Sequence, residues 1–294
     1  MELRLLRSFL AVAREQSFTR AAASINVAQP RLSLRIRQLE QELEVRLFDR
    51  NTRKVELTAA GRAFRDAIEP LLAQLELAAE TCRRADRGEA GVLRIGYSGR
   101  ASHRLLPQLM QSYRSRYPDV LLDLVGPLPS GALKAKLLEE QLDLALCFLP
   151  LGSGLINSRS LATIELKVVL PANHPMADQD KVPLARLGHD PFVGYPSNQG
   201  FLLRNAMDDE CRRAGFAPRV VRECDNSQVL LCLVAAGTGV SLVPSELEFQ
   251  EPIAGIVFKG LGRGSAKLRH GLAWRKANTN PALRNLLALK EAGA

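Results

Sequence analysis

Nowhere in these 294 residues does an apolar run approach the ~18 residues that a membrane-spanning helix needs. The opening Met1-Glu2-Leu3-Arg4 begins an amphipathic helix rather than a secretory leader, so no membrane partner and a cytoplasmic location are expected. Cysteine is sparse. Cys82, Cys147, Cys211, Cys224 and Cys232 are odd in number, scattered and without a CxxC pair, which argues against a disulfide framework and a zinc site. They read as reduced thiols, mostly small buried hydrophobes. The four histidines, His103, His174, His189 and His270, lack metal-ligand spacing. No HExxH or Walker motif occurs, and Gly96-Tyr97-Ser98-Gly99 is not a GxSxG elbow. No catalytic residue, metal or cofactor is therefore expected, and there is no internal repeat or low-complexity stretch.

What is present in excess is positive charge, 40 Lys plus Arg against 31 Asp plus Glu, a formal net charge of +9. Cationic side chains that neutralise phosphates release condensed counterions, so this balance permits a nucleic-acid partner. Part of it is localised. The first 60 residues hold eleven basic and seven acidic side chains, with Arg31, Arg35, Arg37, Arg46, Arg50, Arg53 and Lys54 crowded together. Arg263, Lys267, Arg269 and Arg275 lie far downstream and read as a solvated surface. The length suits one small and one larger domain.

Leu3, Leu6, Phe9, Leu10 and Ala13 recur at three and four, one buried helix face. Ser17 or Thr19 can cap a second helix through Ile25, which Asn26 would end in a left-handed conformation. Pro30 fits the first turn of a third helix running to about Leu43. Two helices separated by about four residues make a helix-turn-helix. The apolar stretches Val45 to Phe48 and Val55 to Leu57 flank a polar cationic tip and read as a hairpin wing. Thr58 caps a long helix to about Arg84, with Ala60, Phe64, Ala67, Leu71, Leu75 and Ala78 as a coiled-coil seam and Pro70 as an expected kink. Residues 83–91 are the best candidate linker.

On the third helix, Leu32, Ile36 and Leu39 share one side, which must be the core face. Pro30, Ser33, Leu34 and Arg37 then point the other way, where a recognition helix presents groups to the major groove. Leu34 has two readings, a thymine-methyl contact or a lone exposed leucine. Gln29 stands at the helix start as a candidate adenine partner or a plain surface amide. Arg50 and Arg53 suit phosphate or the minor groove, and a solvated turn would look the same.

Beyond Val92, short apolar strands alternate with amphipathic helices, which argues for parallel α/β layering. Strands are expected near 92–96, 120–125 and 142–148, then 165–170, 192–195, 220–224 and 240–243. Helices are expected near 104–116, 131–140, 201–214 and 227–236. A last strand near 268–274 and a helix from Pro281 return to the first set. In open parallel sheets, ligands sit beyond the carboxyl ends of strands, where helix-start amides attract carboxylates. The loops Tyr97 to His103 and Tyr195 to Phe201 occupy that place, with Gly126 to Ser130 as a third. Ser98, Ser102, Ser130, Ser197 and Asn198 offer hydrogen bonds beside Gly99 and Phe201, and Arg100 and His103 can answer an anion. Each can equally serve as a cap or loop residue.

A resemblance sharpens this. Ser17 to Ala22, Val27 to Ser33, Ile36 to Glu40, Leu43 to Arg50 and Leu57 to Gly61 resemble, in order and spacing, the signature of the LysR-type transcriptional regulators. The resemblance implies a dimer whose recognition helices enter successive major grooves. Gln29, Pro30 and Ser33 would then lie near bases, with Arg50 and Arg53 gripping the backbone or minor groove; Arg31, Leu34 and Arg37 of the same helix are DNA-side candidates on their own account. Arg31 stands where the family often has a small residue, and Leu34 where it often has arginine. More weakly, the rest of the chain resembles the family's periplasmic-binding-protein-like sensor. Leu93 to Tyr97 with Leu105 to Pro107 resembles regulators of aromatic-acid breakdown, although Pro127 stands where that branch carries a hydroxyl.

The fold expected is α/β overall: a winged helix-turn-helix over 1–58, a linker and dimerisation helix over 59–88, and a two-lobed effector domain over 89–294. Lobe I covers about 92–161 and 267–294, lobe II about 162–266. Double-stranded DNA, a small-molecule effector such as a small carboxylate, a homotetrameric dimer of dimers and RNA polymerase are the expected partners. A cysteine-based redox sensor on the same fold, through Cys211 and Cys224, is the alternative.

Overall fold

A computed structural model describes residues 1–51, 54–99, 102–249, 253–261 and 267–289. By compactness the chain divides into Met1–Arg83 and Arg84–Ala294.

In the first unit α1 (Leu3–Glu15), α2 (Phe18–Ser24) and α3 (Gln29–Leu43) enclose a core that includes Leu5, Phe9, Val12, Ala21, Leu32, Ile36 and Leu39. Each fully buried leucine or isoleucine contributes roughly 1.5–3 kcal/mol through the water it sheds. Ser17 caps α2 by accepting from the Arg20 amide, and Asn26 is left-handed at φ 54°, which turns the chain between α2 and α3. A hairpin follows, β1 (Phe48–Asn51) against β2 (Lys54–Leu57), in antiparallel register from Phe48 opposite Leu57. Thr58 then caps α4 (Ala59–Asp86): its hydroxyl accepts from the Gly61 amide at 2.9 Å and donates to the Arg46 carbonyl at 2.7 Å. The helix continues through Pro70.

The second unit runs β3 (Ala90–Tyr97), α5 (Leu105–Arg116), β4 (Asp119–Val125), α6 (Ser130–Leu138), β5 (Leu144–Leu149) and β6 (Ile156–Pro171). Then come β7 (Lys181–Val182), β8 (Pro191–Gly194), α7 (Leu202–Arg213), β9 (Arg219–Glu223), α8 (Ser227–Ala235), β10 (Ser241–Pro244), β11 (Ile256–Leu261), β12 (Lys267–Arg275) and α9 (Pro281–Ala288). β3 pairs in parallel with β4 and β5, as alternating strands and helices require, and β8 pairs in parallel with β9. The layering is otherwise mixed. β12 is antiparallel to both β5 and β6, and β10 and β11 are antiparallel to β6.

β6 joins the two lobes. Its first part, from Ile156 to Glu165, pairs with β12, and its last part, from Leu166 to Pro171, pairs with β10 and β11. The strand expected near 165–170 therefore begins about ten residues earlier, and β7 and β11 were not foreseen. α9 closes the first lobe: Ala282, Leu283 and Leu286 pack with Leu93, Ile95 and Tyr113, and the Tyr113 hydroxyl donates to the Ala282 carbonyl at 3.0 Å.

Candidate functional site

In the first unit the recognition-helix candidate is fixed by its inner face. Leu32, Ile36 and Leu39 are fully buried, so the opposite side of α3 must meet solvent. Gln29, Pro30, Arg31, Leu34 and Arg37 are exposed there, and Ser33 is half-buried. Leu34 is 65% exposed, an apolar side chain held in water at the middle of a polar face. Arg35 is turned inward, donating to the Ser8 hydroxyl at 3.2 Å, which in turn donates to the Arg4 carbonyl. It is thereby committed to holding α3 on α1.

The hairpin is tied to the same helix. Glu40, near the end of α3, accepts from the Leu47 and Phe48 amides at 2.9 and 3.3 Å. The Phe48 ring packs against Phe9 and Phe18, with centroids 5.3 and 6.0 Å apart. Arg50 sits in β1 opposite Val55. Arg53 lies outside the described residues.

In the second unit a cavity of about 490 Å³ opens at the carboxyl ends of β3, β5, β8 and β9. Four sequence-distant segments converge on it: Ser98, Gly99 and His103 after β3; Pro127 to Ser130 before α6; Gln199, Phe201, Leu202 and Leu203 at the start of α7; and Asp225 to Gln228 at the start of α8. Phe148 and Tyr195 add aromatic wall, and the Tyr195 and Phe201 rings stack at 5.2 Å with an interplanar angle of 19°. Burial pushes the Tyr195 hydroxyl up to about 12, so it stays protonated, and it lies 2.8 Å from the Ser227 hydroxyl.

Of the residues proposed from sequence, Ser98, Gly99, His103, Ser130 and Phe201 are gathered in this wall. Ser102 lies behind it, fully buried, donating to the Ser98 carbonyl at 2.8 Å. Ser197 and Asn198 are exposed and outside the lining, and Arg100 lies outside the described residues. Sequence reasoning missed Phe148 and the segment from Asp225 to Gln228. The rule that ligands sit beyond strand carboxyl ends points to both, since they close β5 and follow β9.

The helix starts are less available than expected. Asn226 accepts from the Gln228 and Val229 amides, and the Gly131 amide is taken by the Gly200 carbonyl at 3.0 Å. One side chain in the wall is left unpaired. Ser98 is 5% exposed, and its hydroxyl has no hydrogen-bond partner among the described residues. An unpaired buried hydroxyl costs about 1–3 kcal/mol, which a ligand oxygen would recover. Behind it His270 is fully buried, its Nε2 3.3 Å from the Ser102 hydroxyl and its ring edge-on to Phe148. Burial drives its pKa down to about 4, so the imidazole is neutral at physiological pH.

Two family models match: "Bacterial regulatory helix-turn-helix protein, lysR family" over residues 3–62, and "LysR substrate binding domain" over 86–293. The transcriptional regulator ShiR of Corynebacterium glutamicum (strain R) is 38% identical over 278 residues, covering 95% of this chain and 94% of that one. AlsR of Bacillus subtilis (strain 168), also named a transcriptional regulator, is 31% identical over 287 residues, covering 98% and 94%. Full-length CbnR, solved in complex with its target DNA, shares 25% identity with a TM-score of 0.79, over 98% of this chain and 97% of that one. With an exposed helix face in one unit, a lined cavity in the other and these likenesses along nearly its whole length, this chain belongs to the LysR family of DNA-binding transcriptional regulators with an effector-binding domain.

Proposed function

We propose that the outer face of α3 reads DNA bases through Gln29, Pro30, Arg31, Ser33, Leu34 and Arg37, with Arg50 and Arg53 of the hairpin on the sugar-phosphate backbone or minor groove. The exposure of Leu34 amid polar neighbours supports the reading, because a thymine methyl would bury it. Gln29→Ala and Ser33→Ala should relax sequence preference, whereas Arg53→Ala should weaken all sequences alike and lower the salt dependence. Footprints unchanged by all three would overturn it.

The cavity of the second unit takes the effector, a small carboxylate. The unpartnered Ser98 hydroxyl carries this reading, with the Ser130 and Ser227 hydroxyls and His103 in the same wall. Thermal-shift titration of the full chain with small mono- and dicarboxylates tests it: an acid that stabilises the protein should bind about tenfold more weakly to Ser98→Ala. An acid that binds both equally would remove Ser98 from the site. The effector acts through its differential affinity for two arrangements of the protein, and so on DNA bending. The winged unit over 1–58, the linker helix over 59–88 and the effector domain over 89–294 work together in a cytoplasmic dimer of dimers that addresses RNA polymerase. Sedimentation that gives any mass other than four chains would reject the assembly.

The redox alternative has less support. Burial pushes the thiols of Cys147 and Cys211 up to about 12 and that of Cys224 to about 11, which starves them of the reactive thiolate.

A further inference from the structure

Two glycines meet across the cleft. Gly131, in the first turn of α6, belongs to the first lobe, and Gly200, just before α7, to the second. The Gly131 amide donates to the Gly200 carbonyl at 3.0 Å. A Cβ added to Gly131 would lie 2.8 Å from the Gly200 Cα, and one added to Gly200 would lie 2.7 Å from the Gly131 Cα. Nothing larger than hydrogen fits on either side. Their neighbours are the cavity walls themselves: Ser130 on one side, Gln199 and Phe201 on the other.

From this juxtaposition we infer that Gly131 and Gly200 form a side-chain-free clasp that fixes the separation of the two cavity walls, and thereby limits the size of effector that the regulator accepts. The inference rests on the reading of this cavity as the effector site. First-turn amides of a helix have no partner inside it, and among the described residues the Gly131 amide is satisfied through the other lobe. The contact is a reporter of lobe closure as well as its cause. Gly131 has ordinary backbone angles, whereas Gly200 is left-handed at φ 71°, so alanine at 131 wedges the lobes without backbone strain and alanine at 200 adds strain to the wedge.

Hydrogen–deuterium exchange on the full chain, without ligand, tests the clasp. In the wild-type protein the Gly131 amide should exchange at least about tenfold more slowly than a free amide. In Gly131→Ala and Gly200→Ala, exchange across 126–134 and 197–203 should rise about tenfold or more, with β3 and β12 still protected. Gly215→Ala is the control. It shares a left-handed backbone, at φ 92°, but an added Cβ there meets nothing within 4 Å, so the clasp peptides should not change.

The size limit has its own readout. The bulky anionic dye 8-anilinonaphthalene-1-sulfonate should fluoresce at least about threefold more brightly on Gly131→Ala than on wild type, as the cleft opens onto Phe148, Phe201, Leu202 and Leu203. A wild-type Gly131 amide that exchanges freely overturns the clasp. Faster exchange with no gain of dye overturns the size limit. Either failure leaves the effector reading standing, because that reading falls only if carboxylate binding ignores Ser98→Ala.

Discussion

The two units carry their candidate sites on opposite kinds of surface. In Met1–Arg83 the residues proposed for DNA lie on the outside of α3, and one buried stripe three residues deep decides which side is outside. In Arg84–Ala294 the proposed site is a hollow, walled by four segments spread over about 130 residues and brought together by strands that pair far along the chain. A convex site is the complement of a local core, so anything that keeps the core keeps the site. A concave site depends on non-local pairing and on interior polar groups such as Ser98, Ser102 and His270.

The sharpest test of this contrast sets neighbouring apolar residues against each other. Ile36→Ala, fully buried, should cost about 2–5 kcal/mol in the unfolding of the first unit and abolish DNA binding with it. Leu34→Ala, two residues away and exposed, should leave the melting curve within about 0.5 kcal/mol while altering DNA preference. Equal losses would mean that the two faces are not distinct.

A smaller effect sharpens the inner side. The His270 pKa of about 4 in the folded state lies below its ordinary 6.5, so its neutral form stabilises the second unit above about pH 6.5. That contribution is lost as the pH falls toward 4, because the unfolded chain takes up the proton first. Between pH 6.5 and 4.5 the wild-type protein should lose on the order of 2–3 kcal/mol in denaturant unfolding that His270→Leu does not lose. Identical pH slopes for the two would refute it.

The smallest effect concerns a single cap. Asn226→Ala removes the side chain that accepts from the Gln228 and Val229 amides at the start of α8, and should cost about 1 kcal/mol. Because it also releases first-turn amides at the cavity, binding of a stabilising carboxylate should strengthen while stability falls. Movement of both in the same direction would show that the cap acts only on the fold.

The helices and most strands were legible because each carries its own periodicity. Ser17, Asn26, Pro30 and Thr58 punctuate the first unit with local chemistry, and α1 to α4 follow with ends shifted by one or two residues. The first part of β6 was not legible. Ile156 to Thr163 is polar and largely exposed, and it is a strand only because β12 lies beside it, a partner over a hundred residues downstream. The same blindness applied to the cavity. The loops after β3 and β8 stand beyond strand carboxyl ends, yet whether a given residue faces inward depends on the opposite lobe, so Ser197 and Asn198 lie outside while Phe148 lies inside.

The chain's own residues determined the first unit, its helix-turn-helix spacing, its cationic bias and the side of α3 left for a partner, because those follow from contacts between residues near each other in sequence. Only the tertiary structure decided which loops share a cavity, that the Ser98 hydroxyl is left without a partner among the described residues, and that two glycines touch across the cleft. Such facts are distances between segments that no local pattern encodes, fixed when long strands pair and their side chains find or fail to find each other.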